Sequence, residues 1–364
     1  MTSKFVGKRD YLHVKKSINE VSLVSDVLNI GIIGCGWAGE QHIRAYSSLS
    51  GVKVLAVADI NEERARGLAR KWGINTWYRD YRDLLEDPEI DAVSICLPHY
   101  MHSKVTIEAA RAGKHILCEK PIATNLNEAD AMIKATREAG VVLMVAENVR
   151  FHPINIKIKE LIDRDYIGDV FLARIFRDHE MHDYLRKRPW FLDRRKAGGG
   201  IWMSGGVHDV DALRMLIGEV ESVVLLQARK VFKEMEGDDT VAALLKFENG
   251  AVGVVTESFS TKTFSPLSPY GCPSIINGSH GTITVSLGGV IEVYGEKVGN
   301  ADTCMRIKVE ERDTFVEEVK HFIECVKEGK TPITSGEEER RTLAVILAGY
   351  ESLNKGGIPV KVKY

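Results

Sequence analysis

The chain has 364 residues, 44% of them apolar and 27% charged, with a formal net charge of −2. That length fits two domains with a sizeable core and excludes a largely disordered chain, and the interspersed charges leave no basic footprint for nucleic acid. Six cysteines without CxxC spacing read as reduced core thiols of a cytoplasmic protein, and no apolar run reaches the roughly 18 residues that span a bilayer, so no membrane partner is expected.

Residues 1–27 precede the first predicted strand and lack the apolar stretch of a secretory signal. Lys8, Arg9, Lys15 and Lys16 make them mildly basic. They read as a flexible arm, with packing on a neighbouring subunit as the sharper alternative. A short apolar run, Ile30–Ile33, then stops at Gly34-Cys35-Gly36-Trp37-Ala38-Gly39, and a helical pattern follows through Leu49. A strand turning sharply into a helix aims free N–H groups and a positive dipole end at one spot, and glycines let phosphate oxygens approach it. The second run, Val52–Ala58, ends at Asp59. That is close to the roughly 20-residue interval expected for the acid that binds an adenosine ribose. Strand, glycine turn, helix, strand and acid in this order predict a dinucleotide site made by Gly34, Gly36, Trp37, Ala38, Gly39 and Asp59. The Asp59 carboxylate favours NAD by repelling a 2′-phosphate. Arg64 close by softens that preference and keeps NADP as the alternative.

Further strands are expected at Ala92–Leu97, His115–Cys118 and Val141–Ala146, between helices at Glu62–Trp72, Asp80–Glu86, His102–Ala112 and Leu126–Ala139. This alternation predicts an α/β Rossmann domain over residues 28–149, its parallel sheet covered on both faces. Ligands of such sheets bind beyond the carboxyl ends of the strands. The rule gathers the glycine turn, Asp59, Leu97–His102 and Glu119–Pro121 into one cluster, with Leu97 and Glu119 as further cofactor contacts.

After Asn148 the pattern changes. A helix, a polar aromatic loop, Gly198-Gly199-Gly200 and a helical segment over Ile201–Ile217 lead into β-rich runs from Ser222 onward. Their period-2 alternation predicts a second, α+β domain over residues 150–364 with a large open, mostly antiparallel sheet. Val223, Leu225, Val252 and Val254 are expected on an uncovered face, and a second subunit is the economical cover, giving a homodimer or homotetramer.

Two residues stand out as chemistry. On the Ile201–Ile217 helix, Ser204, His208 and Asp211 form a polar row beside the apolar row Met203, Val207, Val210, Leu213. His208 is then either a buried histidine satisfied by Asp211 or an acid/base. Lys120, at the end of the fifth strand, is placed beside the cofactor, where a cationic nicotinamide would disfavour its charge.

The chain resembles the Gfo/Idh/MocA family of NAD(P)-dependent sugar and cyclitol oxidoreductases from about Leu28 to its end. The likeness rests on GCGWAG, Glu119-Lys120-Pro121, Ala146-Glu147-Asn148-Val149-Arg150-Phe151-His152-Pro153, and GGG followed by Gly206-Val207-His208 and Asp211. The resemblance implies that Lys120 and His208 lie at the reacting carbon, that Asn148 and Arg150 line the cleft, and that Pro98 and His102 flank the cofactor. It implies no metal. Many relatives carry an aspartate four residues before the histidine, where this chain has Ser204, which keeps a hydrogen bond to a substrate hydroxyl but holds no charge. His182 and Asp183, before the GGG turn, join the substrate-contacting candidates. The expected activity is hydride transfer between nicotinamide and a hydroxyl-bearing carbon of a sugar, sugar acid or cyclitol. An NAD-dependent glycosidase and a non-catalytic dinucleotide sensor are the other classes.

Overall fold

Six strands form a parallel sheet in the order β3-β2-β1-β4-β5-β6. They are β1 (Leu28–Ile33), β2 (Val52–Ala58), β3 (Thr76–Tyr78), β4 (Ala92–Ile95), β5 (His115–Glu119) and β6 (Leu143–Ala146). The computed structural model describes residues 27–262, 271–286, 288–299 and 304–364, so the arm at 1–26 lies outside the described residues. The crossovers are α1 (Trp37–Ser47), α2 (Glu62–Trp72), α3 (Tyr81–Glu86), α4 (His102–Arg111) and α5 (Leu126–Ala139). Side chains of Asn61, Asp80 and Asn125 cap α2, α3 and α5, whereas α1 starts at Gly36 without a side-chain cap. Its first amides receive no side-chain acceptor from the cap. The strand order reverses between β1 and β4, which opens the crevice in which such sheets bind ligands. β3 was not expected from the sequence, because three residues are too few to show a period.

The second sheet has nine strands in the order β14-β13-β12-β11-β7-β10-β9-β8-β15. It comprises β7 (Val170–Asp178), β8 (Val220–Gln227), β9 (Thr240–Phe247), β10 (Val252–Ser258), β11 (Ile275–Gly278), β12 (Gly281–Val285), β13 (Val290–Gly295), β14 (Met305–Lys308) and β15 (Val360–Lys361). Only β7 and β10 pair in parallel, and the other pairs are antiparallel. The helices here are α6 (Pro153–Asp163), α7 (His182–Arg186), α8 (Pro189–Leu192), α9 (Arg194–Ala197), α10 (Ile201–Ser204), α11 (Gly206–Ile217), α12 (Thr314–Glu328) and α13 (Gly336–Asn354). Among the described residues no helix is long and apolar enough to cross a membrane.

One face of this sheet is covered, with α13 packed on β8. The other is open, and register sets Val224, Leu244, Val254 and Arg174 side by side across it. Of the four residues expected on the open face, Val252 and Val254 are there, but Val223 and Leu225 are fully buried beneath it. Alternation gives two faces per strand without saying which one faces the core, and on β8 the outward parity belongs to Val224 and Leu226.

The chain finally returns to the first sheet. Val319, Phe322 and Ile323 of α12 share a core with Ile30, Ile43 and Tyr46, and the Val145 amide donates to the Thr334 carbonyl at 2.8 Å. Residues 313–336, placed by sequence with the second domain, therefore complete the first core.

Candidate active site

The glycine turn is shaped by its surroundings. Gly34 has φ +102°, and a Cβ on Gly39 would lie 2.0 Å from the Gly34 carbonyl oxygen, so α1 can sit this close to β1 only with glycine there. Asp59 accepts from the Cys35 amide at 3.0 Å and the Asn61 amide at 2.9 Å, with Arg64 at 3.5 Å. Its carboxylate is thus fixed beside the turn. At the ends of β4 and β5, the buried His102 ring reaches the carbonyls of Leu97 and Pro121, each at 2.8 Å. His102 ties the two loops together, and Pro98 opens the short turn between β4 and α4.

Lys120 follows β5 directly, and its ammonium donates to the Ser204 carbonyl at 2.8 Å. This bond crosses from the first sheet to the helices of the second. Glu119 accepts from the Lys120 amide at 3.2 Å and lies 3.3 Å from His42. Burial opposes its charge, but His42 and Lys120 outweigh burial and hold its carboxyl below the ordinary range.

The expected single helix over Ile201–Ile217 is broken at Gly205. Gly200, before α10, meets Asp238 so closely that a Cβ would lie 1.9 Å from its carbonyl oxygen, and the Asp238 carboxylate accepts from the Gly200 and Trp202 amides. At the break the His208 amide donates to the Gly205 carbonyl, and the Ser204 carbonyl accepts from Lys120 instead. The Ser204 hydroxyl donates back to the Gly200 carbonyl at 3.1 Å.

His208 does not pair with Asp211. Its Nδ1 lies 2.5 Å from Glu147 Oε1, and both residues are buried. Burial and the charges of Lys120 and Arg177 keep the imidazole well below its ordinary range. Burial and the Asp211 charge push the Glu147 carboxyl well up, with Lys120 opposing them. The charged form of each group is disfavoured by burial, and the short contact joins a neutral imidazole to a carboxyl group. Asp211 instead forms a two-pronged pair with Arg150, which also donates to Glu338 at 2.8 Å. Thr342 donates to Asp211 at 3.2 Å.

The remaining candidates are more dispersed. Asn148 donates to Thr314 Oγ1 at 2.9 Å and lines a groove of about 400 Å³ with His152, Glu310 and Arg312. His182 bonds Ser260 at 2.9 Å and stacks on Phe232, while the Asp183 side chain is 83% exposed and pairs with Arg186. The sequence motif containing Glu147 does not reveal its role at His208. An acid at the carboxyl end of the last parallel strand, after the buried run Leu143–Ala146, was the available signal.

Two family models match the chain: an oxidoreductase family with an NAD-binding Rossmann fold over residues 28–147, and the GFO/IDH/MocA C-terminal domain over residues 155–284. The chain belongs to the Gfo/Idh/MocA oxidoreductase family. Among relatives of this family, myo-inositol 2-dehydrogenase of Thermotoga maritima is 33% identical, over 90% of this chain and 97% of that one. Among solved structures, an Agrobacterium radiobacter oxidoreductase in complex with NAD+, L-tartaric acid and magnesium superposes with a TM-score of 0.83 at 25% identity, over 92% and 98% of the two chains. Levoglucosan dehydrogenase in complex with NADH gives 0.81 at 26%, over 92% and 99%. This Gfo/Idh/MocA protein is thus an oxidoreductase with an NAD-binding domain, and the residues present fit the dinucleotide. The start of α1 at Gly36 carries no side-chain cap, and an acid, Asp59, follows β2 beside it, the two features by which such a domain would hold a pyrophosphate and a ribose.

Proposed function

We propose that the protein moves a hydride between nicotinamide and a hydroxyl-bearing carbon of a sugar, sugar acid or cyclitol. The observation that carries this reading is the bond from Lys120, at the cofactor end of β5, to Ser204, on the helical turn that leads to His208. Bound nicotinamide supplies the hydride acceptor or donor. In oxidation, His208 Nε2 takes the hydroxyl proton as the Nδ1 proton passes to Glu147, whose carboxyl is pushed up by burial, so no net charge builds on the buried ring. The Lys120 ammonium stabilises the alkoxide oxygen as the hydride leaves its carbon. Reduction returns the proton along the same two bonds. With serine at 204, no fixed negative charge repels an anionic substrate there, which supports keeping sugar acids in the substrate class.

The test is NADH formation from NAD with myo-inositol, levoglucosan, L-tartrate and a set of aldoses. Turnover of at least one is expected. Tight NAD binding with none turned over would favour the sensor. NAD should give the higher kcat/KM, and Asp59→Ser should move the NADP/NAD ratio at least about tenfold towards NADP, ~1.4 kcal/mol. An unchanged ratio would remove Asp59 from cofactor selection.

We also infer that the open face of the second sheet joins a second copy of the chain, as a dimer or tetramer. Leu226 and Leu244 are 52% and 49% exposed on it, and an apolar sheet face of this length needs cover. Light scattering should report an oligomer that Leu244→Glu weakens; a monomeric parent protein would end this idea. Six free thiols support a cytoplasmic location.

A further inference from the structure

Building on the reading of His208 and Glu147 as the proton-transfer pair, we propose that Glu318 of α12 is a positioning residue. It is a neutral carboxylic acid behind the pair whose O–H stabilises the ionised form of Glu147.

Glu318 is unusual for its place. It lies three residues after Phe315 and four before Phe322, on the helix face that packs against the first sheet, and its exposure is 0%. Neither of its oxygens has a hydrogen-bond partner among the described residues, and neither does Glu147 Oε2, the oxygen left over from the bond to His208. A buried polar atom left unmatched is destabilising. No direct hydrogen bond joins these three oxygens, and a buried water between them is the simplest match. The fold supplies the proximity, because α12 packs on the turn at Asn148–Phe151 that Glu147 itself caps.

Charge decides which carboxyl keeps a proton. Facing Glu318 are Glu119 of β5 and Glu147, with Tyr46 of α1 and Cys96 after β4. Facing the pair are Lys120, Arg177, Asp209, Asp211, Glu119 and the buried Glu339 of α13. Arg177 is bonded to Asp209 and Arg150 to Asp211, while the Lys120 charge favours the ionised forms of Glu119 and Glu147. Glu119 is ionised between His42 and Lys120. Glu318 has no ion pair among the described residues, and burial with the charges of Glu119 and Glu147 pushes its carboxyl well above the ordinary range. It therefore carries an O–H, the donor that Glu147 Oε2 lacks. Donation to Glu147 through that water opposes the effect of burial, keeps that carboxylate ionised, and leaves His208 Nε2 open to take a proton.

The test compares Glu318→Gln, which keeps a neutral donor, with Glu318→Met, which removes it. Three measurements on the NAD-bound protein read the result: 15N shifts of the His208 ring, the infrared band of protonated carboxyl groups, and melting temperature. At neutral pH the Gln variant should lose one protonated-carboxyl band and keep the parental His208 shifts. The Met variant should move those shifts towards the form in which Glu147 is protonated. With any polyol that is turned over, the Met variant should also move the ascending limb of kcat/KM to higher pH by about one unit, a tenfold change in proton affinity. No loss of a protonated band in the Gln variant would overturn the proposal. So would a Met variant that changes only the melting temperature. The spectroscopic arms need no turnover, so a failed polyol screen counts against the proposed function alone.

Discussion

Replacing His208 by Ala is expected to lower kcat by roughly two to four orders of magnitude, the usual scale for a positioned acid/base, while NAD affinity largely survives. The histidine stands on α11, among the helices of the second sheet, whereas the glycine turn and Asp59 belong to the first. Lys120→Met should cost a similar factor and weaken NAD as well, because Lys120 leaves β5 beside the crevice. Glu147→Gln separates orientation from proton acceptance. An amide oxygen still accepts from Nδ1, but it cannot take the proton, so an imidazolium must form in a buried site beside the Lys120 charge. A loss in kcat with little change in KM is expected. Near-normal turnover of His208→Ala would return His208 to a structural role and leave Lys120 as the group to examine.

Asp211→Ala should act on stability and leave KM where it is. The aspartate is fully buried and holds both prongs of the Arg150 guanidinium, with Thr342 donating to it as well. Breaking a buried pair on one side costs about 3–5 kcal/mol, because the remaining charge stays desolvated. Arg150 keeps Glu338 at 2.8 Å, which points to the lower end of that range. Denaturant unfolding reads the effect. A raised KM at unchanged stability would mean that Asp211 reaches the substrate after all.

The contrast between these residues shows what the sequence could reveal. The glycine turn, Asp59 and the alternation of strands and helices are local patterns, and they were legible. The place of Lys120 at the end of a parallel strand beside the switch point was legible through topology. The partner of His208 was not, because Glu147 is 61 residues away and its approach depends on how the two sheets meet. Asp211, one turn from His208, was the nearer acid on paper, but Arg150 claims it. The helix break at Gly205 was missed because the apolar row continues through it. The outward face of β8 was missed because parity within one strand does not transfer to its neighbours.

The return of the chain to its first sheet bears on how this protein can be recombined. A fragment ending at residue 150 would bare the apolar patch under Val319 and Phe322, and the Val145 amide would lose Thr334. An exchange of cofactor halves between relatives therefore transfers a complete folding unit only if residues 313–336 travel with the amino-terminal portion. The heritable module is discontinuous, two stretches of chain closed around one core, and a single crossover point cannot carry it intact.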